Sequence, residues 1–197
     1  MNIKQLGMTL IELSVVLLIL IALAGLAVPY VSGISSTSLC KATDITLSHT
    51  KKAIMEGFYI DTLGYFPKAT KSTTADFNLT YLLDDSAAVW GTFNPETRLG
   101  WHGPYLDLAR KLTPSDLTST FTDTNFVHVA LTISDYGVFD GWNHPIILQK
   151  HSTDDFRLVS AGFNGDLETK ITDSAIGGDD RVLYVNKPSP VTNSSCG

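Results

Sequence analysis

A chain of 197 residues holds one modest hydrophobic core, so a second large domain is not expected. Its 14 Lys and Arg stand against 20 Asp and Glu for a net charge of -6, and the basic residues form no run. That excludes a sequence-independent phosphate-binding surface, so nucleic acid is not an expected partner.

The first 7 residues carry Asn2, Lys4 and Gln5 and end in Gly7; Met8-Thr9-Leu10-Ile11-Glu12-Leu13 follows, then an apolar run, residues 14–28, that stops at Pro29. A helix over residues 8–28 would be about 31 Å long, close to the hydrocarbon thickness of a bilayer, so one membrane-spanning helix is expected. Glu12 is the only acid in it. A charge in hydrocarbon costs about 3 kcal/mol on insertion scales and more by other measures, which marks Glu12 as a functional residue in need of a partner charge. A secretory signal peptide is the competing reading, with Ala22-Leu23-Ala24 as its cleavage candidate. The single Lys4 in front and the acid inside the apolar run argue against it.

These residues resemble the N-terminus of type IV prepilins and of the pseudopilins of type II secretion. That pattern is a short leader ending in Gly, a hydrophobic residue, and a Glu at the fifth mature position. The resemblance implies a leader over residues 1–7, cleavage by a prepilin peptidase between Gly7 and Met8, and N-methylation of Met8. Glu12 would pair with the Met8 amine of a neighbouring subunit, so that both buried charges are compensated in the assembled state. Met8 departs from the usual Phe, and Pro29 falls where the family bends its helix. The implied role is structural rather than enzymatic: a subunit of a type II secretion pseudopilus, most similar to the major pseudopilin. It would form a helical homopolymer with minor pseudopilins, driven by an inner-membrane platform protein and a cytoplasmic ATPase. The implied location is the inner membrane, single-pass, with the C-terminal head in the periplasm. The nearest alternative is a pilin or minor pilin of a surface filament used in adhesion, motility or DNA uptake. A periplasmic binding module or hydrolase that uses the segment as an anchor is a further one.

Beyond Pro29, Leu39, Ala42, Leu47, Ile54 and Phe58 recur at helical spacing, while Lys41, Asp44, Lys51, Lys52 and Glu56 take other faces. Residues 30–64 are therefore expected to continue the helix as an amphipathic stretch. Gly25, Pro29, Gly33 and the serines of 35–38 make residues 25–36 its weak point. Gly64 is a C-cap residue and Phe66 precedes Pro67, so the helix should stop there. Gly64-Tyr65-Phe66-Pro67 resembles the turn after the helix in major pseudopilins.

Residues 65–197 would form the globular head, with a loop-rich stretch over 68–117, a sheet over about 126–185 and a tail over 186–197. Strand signals lie at 126–133, 146–148, 156–160 and 182–185, bounded by turn residues, and favour an antiparallel sheet. His128, in the alternating stretch, is expected to face solvent or a satisfied polar pocket. The expected fold class is thus α+β and pilin-like. A long N-terminal helix, membrane-spanning in its first half and amphipathic in its second, packs on a small C-terminal antiparallel β-sheet.

Gly100-Trp101-His102-Gly103-Pro104 and Gly141-Trp142-Asn143-His144-Pro145 share a Gly-Trp-x-x-Pro frame, read as turns whose Trp covers a core edge. The second copy, with Asp140, resembles the Asp-Pro-Trp-Gly-x-Pro turn of major pseudopilins. Downstream, residues 156–166 resemble the strand and loop where that family holds calcium. The resemblance implies ligands at Ser160, Asn164 and Asp166, joined by Asp179 and Asp180, with Asn164 where an Asp is usual. Calcium takes six to eight oxygens, and its role would be structural. An acidic, solvated loop whose Asp residues serve turns is the alternative.

Cys40 and Cys196 sit near opposite ends of the exported part. An oxidising compartment bridges them if they meet, and otherwise they are two separate thiols. No nucleophile elbow, phosphate-cradling loop or His-Glu-x-x-His occurs, and the 5 His show no ligand spacing.

Overall fold

The computed structural model describes residues 10–69, 71, 76–85, 89–107 and 109–188, with the side chains of residues 24–35 left aside. The chain divides into two units, Met1–Ser38 and Leu39–Gly197, and each is described by itself. Helix α1 spans Leu10–Lys52 and is helical through Gly25, Pro29 and Gly33.

The membrane-spanning half expected of this helix is corrected. Among the described residues no helix is long and apolar enough to cross a membrane. The single-pass inner-membrane placement is corrected with it, as is the fold class that contained the spanning segment.

Beyond Lys52 the stretch stays helical but changes type. The backbone widens into a π-turn, Ala53–Phe58, and ends in one α-turn, α2, Tyr59–Asp61. The stop uses two left-handed residues, Leu63 and Gly64, with the Gly64 N–H donating to Tyr59 O at 2.8 Å. Only Gly64 takes that conformation without a Cβ penalty.

In the second unit the buried stripe of α1 and the π-turn is Cys40, Thr43, Leu47, Thr50, Ile54 and Phe58. Two threonines belong in an apolar stripe because their hydroxyls bond back to the helix, Thr43 to Leu39 O and Thr50 to Thr46 O. The stripe meets one face of a five-stranded antiparallel sheet: β1 Ala109–Lys111, β2 Tyr136–Phe139, β3 Pro145–Lys150, β4 Phe156–Ser160 and β5 Arg181–Tyr184, in that order. Leu148 lies opposite Leu158 and Leu158 opposite Leu183, and these residues with Val138 and Ile146 pack on Leu47, Ile54 and Phe58. Alternate residues Ile147, Val159, Val182 and Tyr184 face the other way, onto Phe121, Val127 and Leu167. Both sheet faces are therefore covered, one by the helix and one by α3 (Ser119–Thr122) with its flanking loops.

Residues 126–133, expected as a strand, form turns and coil. Their alternation reflects a loop pressed on the sheet: Phe126 and Val127 cover its outer face, and Leu131 N donates to Phe121 O within the loop layer. His128 is satisfied, since its Nε2 accepts from Lys150 N at 2.7 Å, and burial pushes its imidazole below the ordinary value. Conversely, the stretch 68–117 contributes β1 and a 3-10 turn, Leu79–Leu82, and buries Phe77, Leu79, Leu82 and Trp90 in the helix-side core.

Candidate functional site

Two places carry chemistry or contact potential. The first is the start of α1. Leu10, Ile11 and Leu18 are 88%, 72% and 70% exposed, and every other large apolar side chain described over residues 10–23 is also exposed. Leu10, Leu13, Leu17, Leu18 and Ile21 line a shallow apolar groove along the helix. Glu12 lies in the first turn. Gly7 and Met8, the expected processing site, lie outside the described residues, as does the side chain of Pro29.

The second place is the loop cluster joining the ends of β2, β4 and β5. Asp140 organises it: Oδ1 accepts from Trp142 N and His144 N at 2.9 and 2.8 Å, and Oδ2 accepts from Ser160 Oγ at 2.6 Å. Burial pushes the Asp140 carboxyl above its ordinary value, against those hydrogen bonds. His144 Nδ1 sits 2.9 Å from Gly162 O, a contact that requires the proton on Nδ1, and 3.9 Å from Asp140 Oδ2. Ser, His and Asp are thus together, but not as a nucleophile and its base. The fully buried Ser160 hydroxyl donates to the carboxylate, and the histidine proton faces a carbonyl. The cluster holds a turn.

The expected calcium residues surround this loop without converging as a set. Ser160 Oγ is committed to Asp140 and Gly162 N, and Asn164 Oδ1 accepts from Asp166 N at 2.8 Å, while Asp166 itself is exposed. Asp179 Oδ2 accepts from Asn164 N at 3.0 Å. Asp180, fully buried, accepts from Glu168 N and Thr169 N at 2.9 and 2.6 Å through Oδ2. The Oδ1 atoms of Asp179 and Asp180 are buried without a hydrogen-bond partner. Two such oxygens fall short of the six to eight that calcium takes. Among the described residues no group of three or more His, Cys, Asp or Glu side chains is placed to hold a metal ion. The side chains of the expected set therefore do not fit a calcium cage by themselves. Glu168 was not expected from sequence; its Oε2 accepts from Asp179 N at 3.2 Å, and no local motif announces it.

Burial pushes the Asp180 carboxyl up to about 6, aided by the Glu168 carboxylate and opposed by Thr169 and the two backbone N–H donors. A folded-state value above the unfolded one, near 3.9, makes the native state the stronger proton binder between the two. The Asp180 contribution to stability is then fully present below about pH 4, is lost as pH rises to about 6, and stays lost above, a change of about 3 kcal/mol from this group. Denaturant melts from pH 4 to 8 should show a less steep fall across that window in Asp180→Asn than in wild type. Equal slopes in both proteins would assign the titration elsewhere.

Cys40 is fully buried on the α1 stripe and disulfide-bonded. Cys196, the other cysteine of the chain, lies outside the described residues. No protein-family model, no curated protein and no solved structure matches the chain.

Proposed function

We propose that this chain is a structural subunit of a pilin-like filament of the type II secretion pseudopilus class, built by packing copies of α1 side by side. The observation that carries the reading is the exposed apolar start of α1, with its single acid one turn in. A helix apolar on all sides is not stable against water and must be covered. A second copy is the natural cover, because identical Leu and Ile ridges fit the groove along Leu10, Leu13, Leu17 and Ile21. A head-to-tail contact between copies that does not close into a ring extends into a filament. Glu12 fixes the register of that packing against a cation of the neighbour, which the prepilin resemblance assigns to the Met8 amine. The Cys40 disulfide fits a chain that matures in an oxidising environment.

Glu12→Leu at the chromosomal locus of the native host tests this. The variant should be produced at wild-type level and remain folded, yet fail to assemble, with specific secreted proteins retained by the cells. An unchanged secreted profile would overturn the secretion reading. Loss of surface fibres with that profile intact would move the chain to surface filaments.

A further inference from the structure

The loop after β4 brings together the groups that an intramolecular reaction of its own backbone requires. Asn164 is the one asparagine of the chain that glycine follows. An asparagine side chain and the next peptide nitrogen close a five-membered imide when that nitrogen attacks Cγ, and a following glycine has no Cβ to block the approach. Gly165 is left-handed, at φ 79°, and Asn164 is exposed, so water reaches its side-chain amide.

The surroundings act on both partners of that attack. Asn164 Oδ1 accepts from Asp166 N at 2.8 Å. This bond draws electrons from Cγ and stabilises the negative charge that the oxygen gains when Cγ is attacked, as the donors of an oxyanion hole do. Asn164 N donates to Asp179 Oδ2 at 3.0 Å, which fixes the backbone on the other side of the residue. The third group is a base. His144 Nδ1 carries its proton toward Gly162 O at 2.9 Å, so in the neutral ring Nε2 is bare. A Cβ on Gly165 would lie 2.8 Å from that Nε2, which places the bare nitrogen beside the peptide whose proton must leave.

We propose that Asn164 is a self-modification site that deamidates within the folded chain, with His144 as the base. His144 Nε2 takes the Gly165 amide proton as Gly165 N bonds to Asn164 Cγ. The Cγ–Nδ2 bond then breaks, and Nδ2 leaves as ammonia with the proton that the imidazolium returns. Water opens the succinimide at either carbonyl. Cleavage of the new Cγ–N bond gives an aspartate at this position, and cleavage of the original peptide C–N bond gives an isoaspartyl linkage. One water enters, one ammonia leaves, and nothing is oxidised or reduced. The loop gains a carboxylate beside Asp166 and Asp179. The site is independent of the filament reading.

Incubation of the full-length chain at neutral pH in heavy-oxygen water, followed by peptide mass spectrometry, tests it. Asn164 should be converted, with one labelled oxygen taken up at this residue, at least about threefold faster in the folded chain than in the same chain unfolded in guanidinium chloride. Asn78, Asn125 and Asn143 should remain amides over the same period. His144→Asn keeps a donor in the place of Nδ1 but has no base nitrogen, and should slow conversion at least about threefold while the circular dichroism of the chain is unchanged. A folded chain that converts no faster than the unfolded one would overturn the proposal, as would a folded His144→Asn variant that converts at the wild-type rate. Should that variant not fold, the comparison of folded with unfolded wild type decides by itself.

Discussion

Opening the Cys40 disulfide lowers the stability of the chain by about 5 kcal/mol in the chain-entropy account, the largest single effect expected here. Cys40 is disulfide-bonded, and Cys196, the only other cysteine of the sequence and its expected partner, lies outside the described residues. A bridge to Cys196 would enclose the whole sheet in one loop, and the entropy removed from the unfolded chain grows with the logarithm of loop length. Cys40 is anchored at the native end by full burial on the α1 stripe, one turn from Thr43 and two from Leu47. The variant that isolates the cross-link is Cys196→Ser, which leaves Cys40 in place as a small buried thiol. Its melting midpoint should fall by about 10–20 °C for a chain of this size, and wild type in reductant should fall equally. A midpoint unmoved in both would mean that the closed loop does not constrain the unfolded chain.

How far these features were legible in the sequence depended on whether the cause was local. The end of the helical stretch was legible, because Gly64 supplies a left-handed cap whatever surrounds it. Strands β3, β4 and β5 were legible as β-branched and aliphatic runs bounded by turns. Residues 126–133 misled because a coil lying on a sheet also alternates, burying one side chain and exposing the next. The threonines of the helical stripe read as polar because their hydroxyls look unsatisfied until the helix supplies its own carbonyls. Arg157 was invisible for a similar reason. It is fully buried, with Nε on Gln149 Oε1 and its terminal nitrogens on the carbonyls of Lys170 and Asp173, partners supplied by a distant loop. The calcium expectation rested on a resemblance over residues 156–166, joined by Asp179 and Asp180, whereas Asp140 and Glu168 lie outside that set and take the hydrogen bonds that shape the loop.

Removing one carboxylate from the surface of α1 should loosen the helix from the sheet. Arg181, on β5, is 95% buried by its side chain and makes a two-pronged bond to Asp44, with Nε and Nη2 at 2.9 and 2.6 Å from Oδ1 and Nη2 at 2.8 Å from Oδ2. Asp44→Ala strips a buried guanidinium of its carboxylate, a change that costs about 3 kcal/mol where the remaining charge cannot reach water. The loss falls on a polar seam beside the apolar stripe. Gly141 N donates to Thr43 Oγ1 at 2.9 Å, and Lys51 Nζ donates to Tyr184 O at 2.8 Å. The helix sits so close at Gly141 that a Cβ there would lie 2.1 Å from Leu39 O, so this end of the seam cannot slide inward to compensate. Denaturant melts of Asp44→Ala, Arg181→Met and the double variant form a cycle that separates the bond from the burial. The single carboxylate removal should cost most. The double variant should recover a large part of the loss, because an apolar side chain of similar length needs no counter-charge. A double variant as unstable as the sum of the two would mean that Asp44 and Arg181 contribute separately, and that the helix is held to the sheet by the stripe alone.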